Sequence, residues 1–290
     1  MIRIKIDSKR LEKMISKEDA GWIQNAKDKT KELELNTTLK IENIWRPIKK
    51  AFMDLQYSKC IYCEKKIEKN KYEQDVEHFR PKNRADSWVA SKSLIEEEKI
   101  LIKNPTSGSE PGYRLLAYNY FNYAASCKAC NLDRKKCFFP IAGKVRMNHS
   151  KNPARMKSEN SYLIYPISDL DEDPEKLIEF EGVLPKAKAS NGFSRKRALV
   201  TIELFELDKR SFLLRERAEM LYWLFKALKQ YDDGNSAEKK EAQIIVQEYT
   251  SGAEKHTNCM RCFKKLYRKN FSEAESIAKK AFAFWKSKSC

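Results

Sequence analysis

The first fifth of the chain shows apolar patterns whose period changes along the sequence. The first six residues place isoleucine at every second position, which predicts a short strand, whereas residues 8–35 are highly charged and predicted to be helical. Over residues 41–55, apolar side chains recur every three or four positions, as on one face of a helix. Pro47 is close enough to the start of this helix to be tolerated. The predicted helix leads directly to Cys60.

The middle of the chain lacks such periodicity. Residues 60–140 mix cysteines, turn residues and aromatics, which indicates a compact α+β module. Within it we interpret residues 83–112 as an insertion. The insertion has a charged stretch at 87–103 that can be helical, followed by a loop at 104–109 that is rich in turn residues.

The C-terminal half is predicted to be mainly helical. An extended segment at 162–166 precedes a helix whose apolar face runs over residues 214–228. Asp208 or Ser211 is the predicted cap of this helix, and residues 232–234 are its predicted end.

A capping box predicts that the last helix starts at Ser272, with Glu275 three residues later. Together these elements give an α+β, mainly helical fold. We divide it into an N-terminal helical region (1–56), a central module that contains the insertion (57–145) and a mostly helical C-terminal region (146–290).

Composition and charge indicate which class of partner the protein binds. The 290 residues include 58 Lys+Arg and 41 Asp+Glu, a net charge of +17, with 41% hydrophobic residues. This apolar fraction is adequate for a buried core, and no stretch approaches the roughly 18 apolar residues that a membrane span needs. The charge indicates a polyanionic partner such as nucleic acid, the alternative being that it only keeps the protein soluble. Because the opening lacks the apolar run of a signal peptide, we expect a cytoplasmic protein without a membrane partner.

Eight cysteines in a reducing compartment require an explanation other than disulfides. Two pairs, Cys60 with Cys63 and Cys127 with Cys130, have the two-residue gap that directs both sulfurs at one metal. We therefore predict a structural Zn²⁺ site with four thiolate ligands, the alternative being four unrelated core cysteines. The 63 residues between the pairs far exceed the roughly 15–20 of a simple zinc ribbon.

Candidate catalytic residues lie between and beside these pairs. Glu77 directly precedes His78, one of three histidines in the chain, and Asn122 and Asn131 flank the second cysteine pair. Alone, such a Glu-His pair is usually a structural contact. Its position inside a basic, cysteine-stapled module favours a catalytic role.

These positions resemble the HNH endonucleases, which have the ββα-metal fold. The matching elements are the first cysteine pair, Glu77-His78 followed by Pro81, Asn122 five residues before Cys127, and Asn131 nine residues after Asn122. The chain is more closely similar to the PtuB-like HNH subunits of Septu-type and retron-linked anti-phage systems. That similarity is carried by residues 76–82, 112–118, 126–131 and 138–140, and it covers most of residues 60–217.

The resemblance implies a role for each matching residue. His78 would be the general base, and Glu77 and Asn131 would bind a catalytic Mg²⁺ or Mn²⁺. Asn122 would hold the loop that bears His78 and orient its imidazole. Many HNH enzymes have Asp where this chain has Glu77, and Asp75 lies nearby, so either acid is a candidate ligand.

Four basic residues near the motif are candidates for phosphate contact, with a solvated basic face as the alternative. They are Arg80, Lys82, Arg134 and Lys135. Arg134 stands where relatives often have Lys.

The resemblance predicts an HNH endonuclease of the bacterial cytoplasm that cuts nucleic acid, DNA being favoured, and acts in anti-phage defence with an ABC- or SMC-like ATPase subunit. Two alternatives stay open: a nuclease of this class that cuts RNA such as tRNA, and a non-catalytic zinc-stapled module that binds nucleic acid.

The C-terminal region contributes two weaker candidates. We interpret Cys259 and Cys262, with His256, as core residues rather than a partial metal site. The basic, aromatic segment from about 264 to 285 either contacts nucleic acid or a partner, or is a solvated amphipathic helix.

Overall fold

The computed structural model describes residues 1–68 and 73–287. Within these ranges the chain is mainly helical and carries three two-stranded antiparallel sheets. The helices are α1 (Ser8–Glu18), α2 (Trp22–Leu35), α3 (Lys49–Leu55), α4 (Lys92–Glu96), α5 (Pro174–Leu177), α6 (Gly192–Leu204), α7 (Ser211–Asp233), α8 (Ser236–Ser251), α9 (Thr257–Lys269) and α10 (Phe271–Lys286). The strands are β1 (Gln74–His78), β2 (Arg84–Asp86), β3 (Ser109–Pro111), β4 (Tyr123–Cys127), β5 (Ile178–Glu181) and β6 (Leu184–Ala187). The predicted mainly helical α+β class is confirmed.

The opening segment is extended but forms a bridge rather than a strand. Ile4 N donates to Pro166 O (2.8 Å) and Ile4 O accepts from Ser168 N (2.9 Å), which makes a parallel bridge. Ile2, Ile4 and Ile6 are buried while Lys5 is exposed, so the alternation correctly predicted which residues face the core.

The predicted helix over residues 41–55 is wrong in its first half. Residues 8–35 form α1 and α2 as expected, but α3 begins only at Lys49. Pro47 has no N–H to donate and disfavours the helical conformation of the residue before it, so the helix does not extend upstream. Ile44 and Trp45 pack against the core from an irregular segment instead.

The sheet that organises the central module joins β1 to β4. In its register His78 pairs with Tyr123 and Glu77 with Ala124. A π-helical segment, Ala129–Lys135, follows β4 almost directly. The candidate residues of the two halves of the module are therefore brought together by one short antiparallel ladder.

The insertion is closed at its base by the ladder between β2 and β3. The helix predicted over 87–103 is confined to α4. The Ser91 side chain accepts from Leu94 N and fixes the start of α4, and a left-handed Lys99 (φ 52°) prevents continuation beyond its end.

Helices α7 to α10 pack around an apolar cluster of their own in the C-terminal region. The predicted end of α7 is confirmed, since Gly234 is its C-terminal cap. Its predicted cap is wrong: the helix begins at Ser211, the N-cap position is Arg210, and neither Asp208 nor Ser211 caps it. None of the helices within residues 1–68 and 73–287 combines the length and apolarity needed to cross a bilayer.

The predicted capping box of α10 starts two residues after the observed cap. Asn270 is the cap, and its Oδ1 accepts from Glu273 N (3.2 Å). The sequence Asn-x-x-Glu satisfies the same pattern as the Ser272 and Glu275 that were predicted.

Candidate functional site

Strand β1 presents its candidate residues on two faces. Neighbouring side chains of a strand point to opposite sides, so Glu77 and His78 diverge, whereas Asp75 and Glu77 share a face. The pair that is adjacent in sequence is thus divided between two environments.

His78 lies in an aromatic pocket with a fixed hydrogen bond. Its ring is edge-on to Trp45 and Tyr123, with centroid distances of 4.6 and 4.8 Å, and Nε2 lies 3.1 Å from Ala117 O. A carbonyl oxygen only accepts, so Nε2 carries the proton and Nδ1 keeps the lone pair. Burial lowers the pKa of His78 well below its usual range. The imidazole is therefore neutral at physiological pH.

Asn122 fastens the two segments that frame His78. Its Oδ1 accepts from Arg80 N (2.8 Å), and its Nδ2 donates to Arg80 O (2.9 Å) and Leu116 O (3.3 Å). Arg80 follows His78 closely in the chain, and Leu116 precedes the Ala117 that accepts from the imidazole. The side chain of Asn122 thus holds the loop after β1, while the ring itself bonds to Ala117.

Glu77 is paired inside the protein. Its Oε1 lies 2.5 Å from the Nζ of Lys135, and both side chains are almost fully buried. Burial raises the pKa of Glu77, and the Lys135 ammonium opposes that rise. Lys135 also donates to His78 O (3.0 Å), so this ammonium ties the Glu77 face of β1 to the π-helical segment.

Asp75 and Asn131 meet at the rim of an open cavity. Asn131 Nδ2 donates to Asp75 Oδ2 (3.2 Å), and both residues line a cavity of about 370 Å³ with Trp45 and Val76. Carboxylate and amide oxygens are the ligand types that Mg²⁺ and Mn²⁺ prefer, so Asp75 and Asn131 fit such an ion chemically.

The four predicted zinc ligands converge in the core. The Sγ atoms of Cys60, Cys63, Cys127 and Cys130 all lie within 4.8 Å of one another, and all four residues are buried. The Cys63 and Cys127 sulfurs are 3.8 Å apart, close to the roughly 3.8 Å edge of a tetrahedron with Zn–S bonds of about 2.3 Å. The quartet can hold a structural metal such as zinc. Arg210 Nη1 lies 3.1 Å from the Cys130 sulfur, where a cation favours the thiolate.

The four basic candidates differ in accessibility. Arg80 is buried against Glu159 (3.0 Å), and Lys135 against Glu77. Lys82 lies over the Trp45 ring at 4.6 Å, and Arg134 bonds to Glu206 at 2.8 Å while remaining partly exposed. Lys82 and Arg134 are therefore better placed to meet a phosphate than Arg80 and Lys135.

Three contributors were not identified from the sequence. The carbonyl of Ala117 leaves no side-chain signal, and Trp45 was assigned to a helix face rather than to the wall of the His78 pocket. Arg210 lies 80 residues from Cys130, and sequence spacing gave no sign of that contact.

Cys259 and Cys262, the two cysteines of α9, pack within the helical C-terminal region. Cys259 is buried and its thiol lies 3.3 Å from Gly182 O, while Cys262 contacts Asn258 Oδ1 at 3.4 Å. His256 Nε2 lies 3.0 Å from Glu216 Oε2. The thiols and the imidazole thus face separate partners.

Comparison with known proteins gives one informative similarity. No family model and no solved structure matches the chain. The chain is 31% identical to the Septu protein PtuB of Bacillus mycoides (strain KBAB4) over 183 residues, which are 62% of this chain and 52% of that protein. It therefore spans about half the length of the curated relative it matches. This similarity confirms the resemblance to PtuB-like proteins that the sequence predicted.

Proposed function

We propose, with the similarity to PtuB as the premise, that this protein is a metal-dependent HNH endonuclease that hydrolyses phosphodiester bonds of nucleic acid, DNA being favoured. The observation that carries the proposal is the state of His78. A neutral imidazole whose Nε2–H is committed to Ala117 O has a single lone pair, at Nδ1, with which to accept a proton from water.

The protein environment controls this base in two ways. Burial keeps the His78 imidazole neutral, and the aromatic edges of Trp45 and Tyr123 fix its orientation. Burial alone also makes it a weak base. A phosphodiester anion bound beside it would favour the protonated form, so proton transfer is expected to be strongest with substrate in place.

The metal ligands would come from the opposite strand face and the π-helical segment. Asp75 and Asn131 border the cavity and would hold Mg²⁺ or Mn²⁺, whereas Glu77 shares the strand face of Asp75 but is paired with Lys135, so Asp75 is the better-placed acid. When bound, the ion would stabilise negative charge on the scissile phosphate and the leaving oxygen. Lys82 and Arg134 would contact neighbouring phosphates.

The similarity to PtuB further supports a place in a Septu-type anti-phage system. We expect the protein to act there with an ABC- or SMC-like ATPase subunit. Co-expression with the ATPase of a neighbouring gene, followed by affinity purification, tests this. Failure of the two proteins to co-purify would contradict it.

The activity is tested with His78→Ala and a matched control, His149→Ala, which removes an exposed histidine. Supercoiled plasmid and total tRNA are incubated with each protein in Mg²⁺, Mn²⁺ or EDTA, and zinc content is measured in parallel. We expect metal-dependent cleavage by the parent and His149→Ala, and a loss of about 100-fold or more in His78→Ala with its zinc retained.

Two results would contradict the proposal. One is cleavage by His78→Ala at the parental rate. The other is nucleic-acid binding by the parent without cleavage under any of these conditions, which would identify a non-catalytic binding module. The substrate that is cut, plasmid or tRNA, decides between DNA and RNA.

A further inference from the structure

The exposed face of α9 carries five cations in a single stripe. Arg261, Lys264, Lys265, Arg268 and Lys269 follow the i, i+3, i+4, i+7, i+8 spacing that places side chains on one face of a helix. The opposite face is apolar and buried through Cys259, Met260, Phe263 and Tyr267. The cations are thus fixed in position by the packing of the helix. We call these five residues the α9 cationic face.

Most of this charge is not neutralised within the protein. Arg261 pairs with Glu175 (2.7 Å) and Arg268 with Asp232 (2.8 Å). For Lys264, Lys265 and Lys269 the described part of the chain offers no acidic partner within 4.0 Å. Like charges three or four positions apart on a helix destabilise it by about 0.2–0.5 kcal/mol per pair. The repulsion within the α9 cationic face therefore destabilises α9 unless an anion binds there.

The shape beside the face suits an extended anion. The five cations and Thr250 line a shallow cavity of about 600 Å³, and none of the described residues that line it is acidic. On its other side, Lys265 and Lys269 share a cavity with Glu179 and Glu273. The cavity without acidic lining residues is therefore the side on which an anion would bind.

The start of α9 is hydrogen-bonded to the central module. Lys59, next to the first ligand cysteine, donates from Nζ to Glu254 O (2.9 Å) and Thr257 Oγ1 (3.4 Å) at the start of α9. From residue 261 to 269 the helix rises about 12 Å, which matches three to four successive phosphates of one strand. A duplex that follows this face would be held in a fixed relation to the module that contains His78.

We propose that the α9 cationic face binds the phosphate backbone of the nucleic acid on which the protein acts, at a place separate from the cleavage residues. The inference rests on the proposed function for the identity of its ligand. Binding at this face would not depend on the nucleotide sequence. Its affinity for nucleic acid would fall as the salt concentration rises, because each neutralised phosphate releases counterions.

The test measures binding apart from cleavage. A fluorescein-labelled 20-base-pair DNA duplex is titrated by anisotropy with full-length His78→Ala protein between 50 and 300 mM salt. The test variant adds Lys264→Gln, Lys265→Gln and Lys269→Gln. The control adds Lys144→Gln, Lys239→Gln and Lys240→Gln, three exposed lysines elsewhere, so that both variants carry the same net charge.

We expect the test variant to bind at least tenfold more weakly at 100 mM salt. Its slope of log affinity against log salt should be smaller by about 0.9 for each phosphate that the variant no longer neutralises. The control should stay within about twofold of its parent. Melting curves of both variants confirm that they are folded.

Equal binding by the test variant and its parent would overturn the inference, as would an equally weakened control. Unchanged DNA binding together with failure to associate with the ATPase subunit would also overturn it, because the face would then be a protein-docking surface. If instead binding falls as expected while the protein with His78 intact does not cleave, the proposed activity fails and the binding face stands.

Discussion

Removal of the Asn122 side chain should loosen the His78 pocket and destabilise the fold by a measurable amount. The side chain is 1% exposed and makes three hydrogen bonds, all to backbone groups of Arg80 and Leu116. At about 1 kcal/mol for each bond, Asn122→Ala should lower the free energy of unfolding by about 3 kcal/mol. The destabilisation is larger only if the freed backbone groups stay dry, since each then carries its desolvation cost.

The same change should reduce cleavage. Asn122 joins the segment after His78 to the segment that carries Ala117, the acceptor of the imidazole. Without it, the Nε2 hydrogen bond is less strictly held, and Nδ1 is less precisely aimed. None of the side-chain hydrogen bonds of Asn122 involves the four cysteines, so the zinc content of the variant should not change.

Urea unfolding followed by circular dichroism gives the free energy, and plasmid cleavage gives the rate. Asn148→Ala is the matched control, because that amide makes one exposed bond, to Pro111 O (3.0 Å), and should cost less than about 0.5 kcal/mol. A destabilisation of less than about 1 kcal/mol in Asn122→Ala, or cleavage equal to that of Asn148→Ala, would refute this reasoning.

Two further predictions concern the metal and the pH. Cys127→Ser should lose the zinc that the parent retains and unfold more easily, while Cys262→Ser keeps it; equal metal content by mass spectrometry in both variants would contradict the Cys quartet as the zinc site. Burial lowers the pKa of His256 to about 4. As the pH falls, the unfolded state therefore binds a proton before the folded state does. The free energy of unfolding that is present above about pH 6.5 is lost as the pH falls toward 4. The decrease at pH 5 should be about 2 kcal/mol. Urea unfolding should show a flatter pH dependence in His256→Gln, and parallel curves for the two proteins would exclude His256 as the source.

Local sequence patterns predicted the features that depend on residues close together in the chain. The spacing within each cysteine pair fixes where two sulfurs can point, and the apolar period of residues 214–228 fixes a helix wherever it packs. The charge of α9 is likewise visible as a cationic stripe. Failures at this level arose where two local signals competed, as with Pro47 against the apolar period of 41–55.

Tertiary structure decided the contacts that cross long stretches of chain. The ladder between β1 and β4 brings Asn131 to Asp75. The π-helical segment places Lys135 against Glu77, and this pairing buries both side chains. Arg80 is similarly drawn inward by Glu159, 79 residues away. Such pairings depend on the burial of a charge against a specific distant partner, and burial is a property of the folded chain rather than of any segment of it.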